Sequence, residues 1–203
     1  MDQNHNHRGH EPKAQPAGRL ILVRHAAPRQ DPAQPASRWQ LSDAGRLSCA
    51  PLAARLAAHA PDVVVTSVEP KAVETGALVA ARLGLPIEQA DGLHEHRRER
   101  VPFTSPEQFE RSVVALFERP DELALGEETA RQAGDRFERA VQDVLARHPA
   151  ETVAVVAHGT AITLFVARHT GLAPVAFWRR LGLPAVVVMS LPGLELLELI
   201  ERL

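Results

Sequence analysis

Arg24-His25 follows directly on the apolar run Leu20-Ile21-Leu22-Val23, and His158-Gly159 follows directly on Thr152–Ala157. Ser67 comes after Val63-Val64-Val65 with Lys71 one helical turn later, and His94-Glu95-His96 comes after the strand-like stretch Ile87–Ala90. Two histidines, two cations and a carboxylate in these places suit phosphate chemistry. A phosphoryl group spreads up to two negative charges over its oxygens. Arg24 can hold it with a bidentate fork, Lys71 adds a point charge, and backbone N–H groups at the helix start behind His158-Gly159, that of Thr160 included, can donate as well. A neutral His25 in line with phosphorus can act as nucleophile and form a phosphohistidine. A protonated His158 would stabilise charge on the oxygens in the transition state. Glu95 could protonate the leaving oxygen and then deprotonate an attacking water, for which its pKa must rise through burial and an adjacent phosphate. No carboxylate cluster suits Mg²⁺, so positive side chains must neutralise the charge; neither metal nor cofactor is expected.

Each piece taken singly also has a bland explanation. Arg-His after a strand is often a surface pair, His-Gly a turn, and Glu95 among His94, His96, Arg97 and Arg98 a solvated charged loop. His94 and His96 lack a third nearby ligand for a metal. Joint placement at strand ends is what argues for a site. Arg97, Arg98 and Arg100 either read a carboxylate or second phosphate on the substrate or form a solvated basic loop. The segment from Arg97 to Leu125 is expected to cap the crevice, with Trp178 packed in the core or lining the pocket. Cys49, among Ala and Leu, reads as a buried structural thiol.

The elements that must position these groups alternate along the chain. Ser42 is a plausible N-cap for a helix toward His59, with Pro51 expected to kink or break it. A second helix opens near Pro70 and stops at Gly84. Phe109, Val113, Leu116 and Phe117 form one amphipathic stripe, and Phe137, Ala140, Val141, Val144 and Leu145 a longer one closed by His148-Pro149. A helix runs from His158-Gly159 through Arg168, Ala185–Leu191 is a final buried strand, and Leu194–Ile200 is an edge strand or a terminal helix. Continuously apolar strands are buried on both faces, which gives an α/β protein: a three-layer α/β/α sandwich with a mostly parallel central sheet. Ligands in such folds sit beyond the carboxyl ends of the strands.

The chain has 203 residues, 45% of them hydrophobic and 24% charged, with a formal net charge of −2. That length suits a disordered tail over 1–18, which carries His5, His7 and His10, and a single domain over 19–203. A pI near 6.6 excludes nucleic-acid binding through bulk charge. No apolar run approaches a membrane span, and the single Cys49 points to a reducing compartment. The expectation is a cytoplasmic protein, monomer or homodimer, acting on a small phosphorylated substrate without nucleic-acid or membrane partners. A plain nucleotide-binding module lacks support, because no Gly-rich fingerprint follows any strand.

Leu22-Val23-Arg24-His25 resembles the Arg-His-Gly signature of the histidine phosphatase superfamily, in its phosphoglycerate-mutase-like branch. Leu41-Ser42 with Gly45, the block Ser67-Val68-Glu69-Pro70-Lys71-Ala72-Val73-Glu74-Thr75, Leu93-His94-Glu95, Gly126-Glu127-Glu128-Thr129 and Val155-Val156-Ala157-His158-Gly159 resemble its further elements in order, from Leu20 to about Leu191. The resemblance implies the same sandwich, with His25 as nucleophile, Arg24, Lys71 and His158 as the phosphate pocket and Glu95 as proton donor. Ala26 stands where the family has Gly, Ala27-Pro28 where it has Glu-Thr or Glu-Ser, and Lys71 where it has Arg. Asp31 lies about where mutases carry an Asn that contacts phosphate, an unhelpful place for an anion. The stretch between Glu95 and His158 is shorter than in mutases, which favours hydrolysis. The implied activity is a metal-independent phosphomonoesterase working through a phosphohistidine on His25. A mutase-type phosphoryl transferase, and a degenerate member that only binds a phosphorylated ligand, are the alternatives.

Overall fold

The computed structural model describes residues 18–203, so the histidine-bearing tail lies outside the described residues, apart from Gly18. Gly18, grouped above with that tail, is buried: a Cβ there would lie 2.2 Å from the carbonyl oxygen of Glu151. Among the described residues there are six strands: β1 (Arg19–Arg24), β2 (Val63–Thr66), β3 (Ile87–Gln89), β4 (Val153–Ala157), β5 (Ala185–Ser190) and β6 (Leu196–Ile200). They form one sheet in the order β3-β2-β4-β1-β5-β6. β3, β2, β4 and β1 run parallel, and β5 and β6 are added antiparallel, each to its neighbour. The stretch that read as edge strand or terminal helix is therefore an edge strand.

Alternate residues of each central strand feed two cores. Leu20, Leu22, Val153, Val155, Val187 and Met189 pack against α4 (Ala130–Arg147), α5 (Gly159–Thr170) and α6 (Pro174–Arg180), through Phe137, Val141, Phe165 and Phe177. Ile21, Val23, Ala154, Val156 and Val188 pack on the other face against α1 (Asp43–Ala57) and α2 (Pro70–Leu83), through Leu52, Leu56, Ala72 and Val79. Both faces are covered, so a strand cannot show polar alternation and reads as an apolar run. α3 (Pro106–Glu118) lies apart from the sheet and packs Val113, Leu116 and Phe117 with Leu125, next to Val175 and Trp178 of α6.

Pro51 does not break α1, which continues through it. Both Pro51 and Leu47 are exposed, so the carbonyl that loses its N–H partner lies on the solvent side, where water can satisfy it. The seven-residue α6 was not anticipated; it is too short to carry a periodic pattern. Gly84 ends α2 in the left-handed region at φ 66°, as a C-terminal glycine should. Cys49 is fully buried, and burial raises its thiol to about 11, so it packs as an apolar group.

α1 is fastened to the chain that leaves β1. Ser42 caps the helix through Gly45 N–H at 3.0 Å, and its own N–H and hydroxyl both donate to the Ala27 carbonyl at 3.0 Å. A Cβ on Gly45 would lie 2.1 Å from that same carbonyl oxygen. Gly45→Ala gains about 1 kcal/mol of helix propensity, but backbone cannot yield to a contact so short. The variant is expected to unfold at lower urea concentration than the parent; equal or higher stability would contradict the fastening.

Candidate active site

The parallel register of β1, β2 and β4 puts their carboxyl ends at one edge. His25 N–H donates to the Ala157 carbonyl at 3.0 Å, and Ser67 N–H to the Val156 carbonyl at 2.9 Å. His25, Ser67 and His158 are thereby neighbours, with the two imidazole centroids 5.2 Å apart in an edge-to-face arrangement. Nδ1 of His25 lies 2.7 Å from the Ala26 carbonyl oxygen, which can only accept, so Nδ1 carries the hydrogen and Nε2 keeps its lone pair. Burial holds the His25 pKa well below the usual 6.5, helped by the nearby His158, Lys71 and Arg24. His158 is likewise held neutral, by burial first and then by Lys71 and Arg98. Its Nε2 meets the Ser67 hydroxyl at 2.8 Å.

Arg24 donates through Nη1 to the Leu181 carbonyl, and burial lowers its pKa to about 10 without discharging it near neutrality. Its guanidinium lies against α5 where residue 159 has no side chain: a Cβ there would come within 2.9 Å of Cζ and Nε. Lys71 is 4% exposed. Its ammonium is bound by the Glu69 carboxylate and by the Ala36 carbonyl at 2.6 Å. Glu69 also accepts the Glu95 N–H at 2.7 Å and stands 3.6 Å from Nε2 of His158.

Glu95 is placed differently from expectation. Its carboxylate accepts the N–H groups of Thr160 (3.0 Å) and Ala161 (3.1 Å) at the start of α5 and that of His96 (2.8 Å), with Arg98 at 3.5 Å. Burial alone would raise its pKa, but Arg98, His158 and these N–H donors outweigh it and hold the group ionised, well below the ordinary carboxylate range. The helix N-terminus is an anion site that the protein's own carboxylate already fills. The Thr160 N–H, expected on a phosphate, is therefore taken; what Thr160 leaves free is a buried hydroxyl without a partner. Arg24 Nε, Arg98 Nη1 and His158 Nδ1 are also buried side-chain atoms lacking partners among the described residues.

A crevice of about 800 Å³ opens at this edge, lined by Arg24, His25, Lys71, Glu95, Arg97 and Arg98 among others. His158 and Thr160 are buried at 0% and 1% exposure and do not line it. Arg100 does not line it either; its N–H, with that of Glu99, is held by the Glu127 carboxylate. Arg98 is turned in to Glu95 rather than left to read a second anion. Asp31 also proves harmless to an anion, since its carboxylate accepts from Ala33 N–H and the Gln34 amide within its own turn and does not line the crevice. His94 and His96 do not converge as a metal pair: His96 Nε2 donates to the Glu128 carbonyl at 2.7 Å and His94 Nδ1 to the Glu95 carbonyl at 2.9 Å.

The family model for the histidine phosphatase superfamily (branch 1) matches residues 20–192. The chain belongs to the histidine phosphatase superfamily. Comparison with curated proteins by sequence finds no match. Among solved structures, Bacillus stearothermophilus YhfR is similar at 23% identity and a TM-score of 0.73, covering 91% of this chain and 96% of its own. A mycobacterial glucosyl-3-phosphoglycerate phosphatase is similar at 22% and 0.69, covering 85% and 89%. Phosphoserine phosphatase of Entamoeba histolytica, with 3-phosphoglyceric acid bound, is similar at 14% and 0.74, covering 90% and 96%. At these identities the likeness is one of fold.

Within this member of the superfamily, the Gly126-Glu127-Glu128-Thr129 element is a clamp. Gly126 has φ 65°, and a Cβ there would lie 2.0 Å from the Arg97 carbonyl oxygen. Glu128 accepts Arg97 N–H at 2.9 Å and Arg136 at 2.6 Å, while Thr129 caps α4. Arg136 in turn donates to the carbonyls of Gly92, His94 and Glu95 at 2.7, 2.9 and 3.2 Å. Sequence reading missed Arg136 and Glu69. The only signal for either was a charged residue at a position its element buries, and the burial is not visible without the fold.

Because the folded protein refuses protons at His25 and His158, the unfolded chain binds more protons once pH falls below 6.5, and stability must drop with pH. From pH 6.5 to 5.5 each such histidine costs about 1 kcal/mol. Urea unfolding at the two pH values is expected to report the combined loss, reduced by about 1 kcal/mol in His25→Asn or His158→Asn. A protein equally stable at both pH values would contradict the burial of neutral imidazoles.

Proposed function

We propose that the protein is a phosphatase that hydrolyses a phosphomonoester through a phosphohistidine on His25, without a metal ion. The observation that carries this is the neutral His25, its Nδ1–H committed to the Ala26 carbonyl and its Nε2 lone pair left free, in a crevice it shares with Arg24, Lys71 and Arg98. Nε2 attacks phosphorus as the bond to the leaving oxygen breaks. Arg24 and Arg98 donate to the phosphoryl oxygens and supply the charge neutralisation.

Glu95, ionised in the resting site, takes up the proton that the phosphomonoester monoanion brings and passes it to the leaving oxygen. Negative charge arriving beside it raises its pKa, and protonation loosens its hold on the Thr160 and Ala161 N–H groups, which then donate to the phosphate. In the second half-reaction water gives a proton to the Glu95 carboxylate and its oxygen displaces Nε2, releasing inorganic phosphate and restoring neutral His25. His158, neutral and buried, packs edge-to-face on His25 and helps to keep that imidazole neutral. The short segment between Glu95 and His158, in which α3 is the one helix ahead of α4, supports hydrolysis over phosphoryl transfer between bound substrates. The binding of the Lys71 ammonium by Glu69 favours one second reading, a member that holds a phosphorylated ligand without turnover.

His25→Ala is expected to lower turnover of an aryl phosphate on the order of a thousandfold or more, and Glu95→Gln by about a hundredfold or more. EDTA is expected to leave the parent rate unchanged. Quenching with alkaline detergent during turnover of ³²P-labelled substrate should trap label on His25 that acid then releases. Full activity in His25→Ala, or loss of activity in EDTA, overturns the mechanism; an enzyme that neither turns over nor takes label supports the binding-only reading.

A further inference from the structure

Resting on the phosphatase reading, we infer that the crevice beside His25 is a leaving-group subsite for a flat aromatic or bulky apolar moiety, not for a polyol or an amino acid. The chain has six phenylalanines, two tryptophans and no tyrosine. Both tryptophans and two of the phenylalanines, Trp39, Phe103, Phe109 and Trp178, line this one crevice. Val68, Val101 and Pro102 line it too. Phe103 is 50% exposed and Val68 44% exposed, apolar surface that folding has not buried and that a ligand in the crevice would cover.

The aromatic walls are preorganised. Trp39 donates its indole N–H to the carbonyls of Asp31 (3.0 Å) and Gln34 (3.2 Å), which fixes the ring and removes its donor, and its ring stands 6.1 Å from that of Phe103. Phe109 and Trp178 pair at 6.3 Å, and the Arg98 guanidinium sits 4.9 Å from the centre of the Phe109 ring. Ser37 and Glu99 join at 2.8 Å, tying the loop that carries Trp39 to the segment after Glu95.

Several polar groups in these walls are already engaged, while Arg97 lines the crevice with no side-chain partner among the described residues. Arg98 serves Glu95, Glu99 serves Ser37, and Arg179 is paired with Glu110 at 2.8 Å. A polyol or an amino acid entering here would exchange water for few donors, whereas an aromatic group would be stacked and desolvated at no such cost. The crevice volume of about 800 Å³ leaves room for such a group beyond the phosphate.

A matched pair of substrates tests this free of leaving-group chemistry: 2-phenylethyl phosphate and ethyl phosphate release alcohols of similar acidity and differ by one phenyl ring. The parent enzyme is expected to favour the first by about tenfold or more in kcat/KM, and Phe103→Ala to shrink that ratio several-fold, chiefly through KM. Binding is read separately by intrinsic tryptophan fluorescence in His25→Ala, since both tryptophans line the crevice. There 2-phenylethyl phosphate should bind about tenfold tighter than ethyl phosphate. A preference in binding without turnover in the parent would overturn the phosphatase reading while upholding the subsite. Equal affinities and equal kcat/KM, or a preference for phosphoserine or glycerol phosphate over 2-phenylethyl phosphate, would overturn the subsite even if hydrolysis is rapid.

Discussion

Arg24, Lys71 and Arg98 are three of the cations lining one crevice at the carboxyl edge of the sheet, and what lets them meet is a pair of carboxylates placed between them. Arg24, Lys71 and Arg98 would repel one another in a site from which water is largely excluded. Glu69 takes Lys71, and Glu95 takes Arg98, while the Glu95 N–H returns to Glu69. The two carboxylates are thus coupled through one backbone bond, and removing either would leave a buried cation uncompensated, the costly way to break a buried ion pair. Charge balance here also decides how an anion is received. A phosphate brings negative charge where the protein already holds two carboxylates, and the group whose hydrogen bonds can be exchanged is Glu95, because its donors are backbone N–H groups at a helix start.

Precision at Glu95 comes from residues that never touch the crevice chemistry. The loop from Gly92 to Arg100 has no regular structure, yet many of its backbone groups are answered. Arg136 takes three of its carbonyls, Glu127 and Glu128 take three of its N–H groups, and His96 reaches back to the Glu128 carbonyl. A loop so tied can carry a carboxylate to within hydrogen-bond distance of α5 without paying ordering entropy again each time a ligand binds.

Much of this was legible in the chain, and for physical reasons. Strands buried on both faces announce themselves as apolar runs, so the sheet and the residues at its ends could be placed before the fold was seen. Ser42 and Gly84 marked helix ends because capping and left-handed backbone demand those residue types. The resemblance to the superfamily then fixed the order in which His25, Glu95 and His158 had to meet. Illegible were the facts that depend on which way a side chain turns. Arg98 and Arg100 differ by two positions in one basic stretch, yet one is drawn in to Glu95 and the other stays outside the crevice. Pro51 looked like a break because the sequence does not reveal that its face of α1 is solvent. Glu69 looked like an ordinary acidic residue at a helix start, and only its burial beside Lys71 gives it meaning.

The replacement of an arginine by Lys71 draws these threads together. An arginine there could serve a phosphate with two parallel N–H bonds while also reaching a carboxylate, because its donors are spread over a planar fork. An ammonium offers three donors on one atom, and two of them are committed to Glu69 and the Ala36 carbonyl. Lys71 therefore contributes a fixed positive field and the anchoring of the loop that carries Trp39, more than a direct grip on an anion. In the proposed mechanism, recognition of the phosphoryl group then falls on Arg24, Arg98 and the start of α5. The Ala36 end of the same lysine links the charge centre to the loop that carries Trp39, so that the cations and the aromatic wall of the crevice are held in one frame.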